Sequence, residues 1–264
     1  MCRIARVGMS KGFMFRGIFV TGTDTNVGKT VVSAALLVRY RDEVPLKYWK
    51  PIQTGIEHDD DTAEVARLAG AAARKGPPST EELLDMGVRL PHPVSPHLAA
   101  HLAGTRITVR SLVETIRTAD VNVRAAHGES RDAHGESRAA QGDARPRWIV
   151  EGAGGILVPI NERETMADLM HALDLPVLIA ARSTLGTINH TVLTIEGLRR
   201  RMLRVAGVVM VGDPNDQNRL AIEKYGAAEV IAQMPRFDPL TPGALERWVE
   251  SDFDRSGVLF GCLR

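Results

Sequence analysis

Cysteine is scarce in this chain: Cys2 and Cys262 are the only two among 264 residues, one near each end. That excludes a disulfide framework and suits a reducing compartment, and terminal placement argues against a structural role for either thiol. Charge of one sign is also lacking, with 33 Lys and Arg against 32 Asp and Glu. Such balance removes the electrostatic case for wrapping nucleic acid or coating an anionic membrane. No apolar run approaches the ~20 residues that span a bilayer. The opening MCRIARVGMSKGF is mildly basic but has neither the apolar core nor the small-residue cleavage site of a signal peptide. Residues 1–16 are therefore expected to be a disordered extension, with Met14 a candidate true start, and a cytoplasmic protein is expected.

What the chain does have is an ordinary globular composition, 44% apolar, and room for one large α/β domain or two small ones. Its most informative stretch is GTDTNVGKT, Gly22 to Thr30. An apolar strand pattern, Gly17 to Thr21, precedes it, and a helical opening, Val31 to Val38, follows. Strand, glycine-containing loop, Gly-Lys-Thr and helix are the context that makes a phosphate-binding loop credible. Backbone N–H groups at the helix N-terminus face an anion, the Lys29 ammonium reaches the outer phosphates, and the Thr30 hydroxyl can ligate their magnesium ion. Gly28 lies one position further from Gly22 than in the general pattern. The structural alternative, a turn that happens to contain Gly-Lys-Thr, leaves the flanking elements unexplained. A nucleoside triphosphate is the expected ligand.

Further along, Leu46 to Gly55 reads as a second strand running into a loop. The cluster Asp59-Asp60-Asp61 opens a helix over Thr62–Ala69, where carboxylates favour the dipole, and solvated capping is expected for two of the three. Arg74 to Ser95 is rich in Pro and Gly and reads mostly as loop. A short helix follows over Pro96–Leu102 with Ser95 as N-cap, then a longer one from Val109 to about Val121. Residues 126–139 repeat AHGESRD as AHGESRA. With alanine as its only apolar residue, the repeat cannot bury enough surface to offset ordering entropy. Ala125 to Arg145 is thus expected to be an exposed insertion whose excision over Ala126–Ala139 leaves activity nearly intact. Metal binding through His127 and His134 is the weaker reading, since no cysteine accompanies them.

After the insertion the alternation is regular. Strands are expected at Trp148–Val150, Val177–Ala180, Val205–Val211 and Val230–Ala232. Helices are expected at Met166–Leu173, from Leu185 to about Leu203, at about Asn218–Tyr225 and, last, near Ala244–Val249. Short continuous Val/Ile/Leu runs between helices argue for an α/β fold with a mostly parallel sheet covered on both faces. Ligands in such sheets bind beyond the carboxyl ends of the strands. The phosphate loop, Lys50–Thr54, Glu151–Gly155 and the Gly212 region should therefore share one edge. Glu151 ends a buried strand ahead of three glycines in four residues. It is either a solvated strand end at a tight turn or a ligand for Mg²⁺, which takes one or two carboxylates together with phosphate oxygens. The phosphate loop in the same sheet favours the ligand.

Taken in order, GTDTNVGKT, KPIQTG, DDDTAEV, SPH, EGAGG and LGTINHT closely resemble dethiobiotin synthetase, from about Ile18 to Pro235 with the insertion as a break. The resemblance implies a single P-loop NTPase-type domain over residues 17–264. It also implies a homodimer that converts 7,8-diaminopelargonate, CO₂ and MgATP to dethiobiotin, ADP and phosphate through a carbamate and a mixed anhydride. Position by position it implies Lys50 and Lys29 as catalytic, and Thr30, Asp61 and Glu151 as magnesium ligands. The nucleotide set it implies is Asn26, Val27, Gly28, Lys29, Thr30, Val31, Asp61, Glu151, Gly152, Ala153, Gly154, Gly212, Asp213, Pro235, Arg236 and Phe237. Thr25 and Thr54 would meet the substrate, and Leu185, Gly186, Thr187, Ile188 and Asn189 would bind its carboxylate at a helix N-terminus lent by the other subunit. Two departures are visible. Asn26 replaces an acidic residue of some members, and Gly212 replaces an asparagine that reads the adenine edge in others, leaving the base to backbone contacts.

Rival readings keep the fold and change the task. A partition- or septum-type switch ATPase carries a lysine where this chain has Asp24. An amidoligase needs a glutamine-hydrolysing module for which no length remains, and neither cysteine sits in a nucleophile context. A non-enzymatic nucleotide-binding module leaves Lys50, Thr54 and Glu151 without a role.

Overall fold

The computed structural model describes residues 15–57, 59–70, 76–126 and 145–264, without the side chains of 123–126. Expectations for residues 1–14, most of the insertion, His127 and His134 lie outside the described residues. Seven strands form one sheet, all neighbours parallel, in the order β4-β2-β6-β1-β7-β8-β9. These are β1 (Gly17–Gly22), β2 (Leu46–Trp49), β4 (Leu83–Leu84), β6 (Arg147–Glu151), β7 (Val177–Arg182), β8 (Val205–Val211) and β9 (Val230–Met234). A second, two-stranded sheet pairs β3 (Ile52–Thr54) with β5 (Val88–Leu90).

Strand alternation explains the two-sided core. Ile18, Val20, Tyr48, Ile149 and Leu178 face one layer, closed by α1 (Lys29–Tyr40), α2 (Asp61–Ala69), α8 (Pro242–Asp252) and α9 (Val258–Leu263). Phe19, Trp49, Trp148, Val150 and Ile179 face the other, closed by α3 (Pro96–Leu102), α4 (Val109–Ala126), α5 (Met166–Leu173), α6 (Thr187–Arg199) and Ile222 of α7 (Asp216–Gly226). Both faces being covered, strand residues such as Ile18, Phe19 and Val20 are all buried, which is why these strands read as unbroken apolar runs.

Several boundaries differ from the sequence expectation for identifiable reasons. Leu46–Gly55 is two strands rather than one, because Pro51 has no N–H to donate and its carbonyl instead accepts from Val88 N at 2.9 Å. The backbone turns there toward β5, and Gly87 admits it: a Cβ at that glycine would lie 2.3 Å from the Lys50 carbonyl oxygen. Arg74–Ser95 accordingly holds β4 and β5, both too short to show a period. Helix α4 continues through Ala126, into the first two residues of the expected insertion. Helix α6 is shorter than expected at both ends, since Gly186 is left-handed (φ 93°) and caps it. The last helix is α9, whose six residues carry too little pattern to be noticed; Cys262 lies on it, half-buried against the core rather than at a loose end.

Candidate active site

Loop Gly22–Thr30 joins the central strand β1 to α1. Gly28 is left-handed (φ 91°), as the last turn before the helix requires, and a Cβ there would press on Val211 at 3.0 Å. Gly22 is as constrained, since a Cβ would fall 2.6 Å from the Asp24 carbonyl. The loop is tied to the strand ends beside it by Gly22 N donating to Gly154 O and Thr23 N to Ala180 O. Thus EGAGG and the phosphate loop are fixed to each other by backbone.

Around that junction the sheet edge gathers four groups, Lys50 and Glu151 from the ends of β2 and β6 and Thr30 and Asp61 from the starts of α1 and α2. Lys50, 7% exposed, donates to Glu151 Oε1 at 2.7 Å and to Asp61 Oδ2 at 2.6 Å, and reaches Gly152 O at 3.3 Å. The Thr30 hydroxyl donates to Asp61 Oδ1 at 2.6 Å and lies 3.1 Å from Glu151 Oε1. Glu151 is wholly buried, and its second oxygen accepts from the Tyr48 hydroxyl at 2.9 Å. Lys29 folds back along its loop to the Asp24 carbonyl at 3.2 Å. Asp60 caps α2, accepting from Thr62 N and Ala63 N. Asp61 is therefore the member of the acidic cluster that turns inward.

The electrostatics follow from burial and proximity. Burial works against the Lys50 ammonium, but the Glu151 and Asp61 carboxylates outweigh it and leave the group above its ordinary value. For Asp61 burial again opposes the charge, and Lys50 with the Thr30 hydroxyl reverses the balance, so the carboxyl ends below the usual range. Lys29 is lowered, first by burial and then by the neighbouring Lys50 charge. Burial and the adjacent Glu151 push the Tyr48 phenol far up, keeping it a donor.

These groups open on a cleft of about 650 Å³. Thr25, Asn26, Gly28, Lys29, Thr30, Val31, Lys50, Thr54, Asp61, Glu151, Ala153 and Gly154 all line it, as the motifs implied. Val27 and Gly152 do not: Val27 is buried in the core, and Gly152 packs where a Cβ would meet the Phe19 ring at 2.8 Å. Gly212, Asp213 and Pro235–Phe237 follow β8 and β9 and do not line the cleft. Gly212 has φ 128°, a conformation that L side chains rarely adopt, and a Cβ there would fall 2.5 Å from Ser183 Oγ, so a side chain would be strained and would need that hydroxyl to turn aside. Phe237 packs edge-on against Trp248. Leu185–Asn189 also lie outside their own chain's cleft, with Leu185 fully exposed.

Sequence reasoning missed Tyr48, although it shares strand parity with Lys50. It also missed the Asp24 carbonyl on Lys29, and Arg182, which donates to Thr25 O at 2.9 Å. Backbone acceptors leave no mark on residue identity. Among the described residues no group of three or more His, Cys, Asp and Glu could hold a metal ion. The donor set at this edge is of another kind, two carboxylates and a hydroxyl, which suits a hard cation that shares its shell with phosphate oxygens. A positive charge, the Lys50 ammonium, already sits between the two carboxylates.

A parallel sheet, a loop cradling the helix N-terminus and a lysine-threonine pair define a P-loop nucleoside-triphosphate-binding protein. A family model described as an AAA domain matches residues 16–244. The solved MinC:MinD cell division complex of Aquifex aeolicus aligns with TM-score 0.50 over 94% of each chain at 14% identity, a likeness of fold alone. Closer in sequence is the ATP-dependent dethiobiotin synthetase BioD of Paramagnetospirillum magneticum, 45% identical over 230 residues, which are 87% of this chain and 93% of that one. The BioD of Agrobacterium fabrum is 35% identical over 91% of this chain and 95% of its own. The bifunctional BioCD of Bordetella avium is 42% identical over 88% of this chain and 42% of its own. This chain belongs to the ATP-dependent dethiobiotin synthetase family.

Proposed function

We propose that the protein closes the ureido ring of dethiobiotin from 7,8-diaminopelargonate, CO₂ and ATP. The supporting observation is the meeting of Lys29 and Lys50 at one cleft beside Thr30, Asp61 and Glu151. One substrate amine attacks CO₂ and loses a proton, giving a carbamate. A carbamate oxygen attacks the γ-phosphorus and ADP leaves, giving a carbamic–phosphoric anhydride. The second amine attacks the anhydride carbon, expels phosphate and completes the cyclic urea. Carbamate and triphosphate are both anionic, so their approach demands cations set in place beforehand.

In this reading Lys29 and the backbone N–H groups after Gly28 hold the β- and γ-phosphates. Lys50 leaves its carboxylate pair to bridge carbamate and γ-phosphate. Thr25 and Thr54 orient the diamine. Thr30, Asp61 and Glu151 would hold Mg²⁺, which supplies charge neutralisation at the phosphate oxygens. Gly212, Asp213 and Pro235–Phe237 take the base through backbone. Leu185–Asn189 serve the cleft of a second copy, receiving the diamine's carboxylate at the α6 N-terminus; the exposure of Leu185, Gly186 and Asn189 outside their own cleft supports a homodimer. No described helix is long and apolar enough to cross a membrane, which accords with a cytoplasmic enzyme. The test is phosphate release from ATP with the product identified by mass. Release that requires both diaminopelargonate and bicarbonate is expected. ATP turnover at the same rate without them would refute the synthetase reading.

A further inference from the structure

The torsion that turns a glutamate carboxylate is broad, so bonding to its oxygens, rather than intrinsic rotamer preference, must set its plane. Glu151 Oε1 is held by Lys50 at 2.7 Å and by Thr30 at 3.1 Å. Both partners have other work in the proposed reaction, Lys50 on the carbamate and Thr30 at the metal. Oε2 is different. Among the described residues its one donor is the Tyr48 hydroxyl, at 2.9 Å, on a side chain with no exposed surface. Tyr48 pairs with Ile149 across β2 and β6, two residues before Glu151 and on the same face of the sheet. Its ring lies wholly buried in the apolar layer that also holds Ile18, Leu37 and Ile149, so the hydroxyl is aimed by a rigid body rather than by a flexible chain.

We infer that Tyr48 is a positioning residue: it anchors Glu151 Oε2 so that Oε1 stays turned toward the phosphate loop when Lys50 and Thr30 engage ligands. The inference rests on the metal reading above, and the two failures are distinguishable: the unsubstituted protein reports on the metal reading and Tyr48→Phe on the inference. Tyr48→Phe removes one oxygen and keeps the ring. Nucleotide affinity measured in EDTA should then stay within about twofold of the unsubstituted protein. The additional affinity gained with Mg²⁺ should fall by about tenfold or more, the usual scale for losing a group that orients a metal ligand. A lowered melting temperature with the Mg²⁺ response intact would reduce Tyr48 to a packing residue and overturn the inference. An unsubstituted protein whose nucleotide affinity ignores Mg²⁺ would overturn the metal reading and this one with it. Should Tyr48→Phe fail to fold, Glu151→Gln and Tyr48→Phe/Glu151→Gln supply the answer, because the buried carboxylate is then neutral in both. Equal Mg²⁺ response in that pair supports action through Glu151, and a further tenfold loss in the double variant excludes it.

Discussion

At the carboxyl end of the strands Lys50 meets Asp61 and Glu151 at 2.6 and 2.7 Å; at the amino end Arg147 and Asp254 are just as deeply buried. The partners differ. Arg147 donates to the Leu263 carbonyl at 2.8 Å, while Asp254 accepts from the Tyr40 hydroxyl and from Leu259 N and Phe260 N at 3.0 and 3.2 Å. Those bonds dock α9 beneath the sheet and stitch it to the last residue of α1. At the carboxyl end the partners are side chains from separate elements, and they border a cleft with space for a ligand. Charges bound mainly to backbone close a structure. Charges bound to one another beside a cleft can exchange partners, and that is a property of a working site.

Substitutions at the two ends should separate these roles. The largest effect is expected from Lys50→Gln, which keeps a donor for Glu151 but removes the cation: product formation should fall by about 10²–10³-fold, read by single-turnover kinetics. Activity within a few fold of normal would take Lys50 out of the chemistry. Glu151→Gln should weaken Mg²⁺-dependent nucleotide binding about 10- to 100-fold with the fold retained, measured by calorimetry with and without EDTA. At the opposite end, Asp254→Ala strands a phenol and two amides, and should cost roughly 2 kcal/mol of stability in urea titrations. Nucleotide affinity should not change, and a parallel loss of affinity would mean the two ends are coupled. The smallest effect concerns Cys262, whose thiol burial pushes above its ordinary value. In a Cys2→Ser background its alkylation should be slower than that of a free peptide cysteine at pH 8 and should quicken as pH rises, because only the thiolate reacts.

Legibility in the sequence followed the same division. The phosphate loop was readable because its geometry demands particular residues: Gly28 at a left-handed position, Lys29 and Thr30 at the first helical turn. Asp61 and Glu151 were readable through motif order, and the structure puts both on Thr30 and Lys50. Short elements were not readable. Strands β4 and β5 have two and three residues, and α9 has six, fewer than a period needs to declare itself.

The sequence alone determined the class of fold and the ligand class, since apolar period, glycine placement and a Gly-Lys-Thr are local constraints on a chain. Tertiary structure decided that Asp60 is the aspartate that caps α2. It decided that Pro51 sends β3 into a sheet of its own, leaving Lys50 at the point where β2 ends. And it brought the Tyr48 hydroxyl to the far oxygen of Glu151, 103 positions away in sequence. Such pairings depend on strand order and register, which arise from burying both faces of the sheet at once rather than from any one stretch of residues.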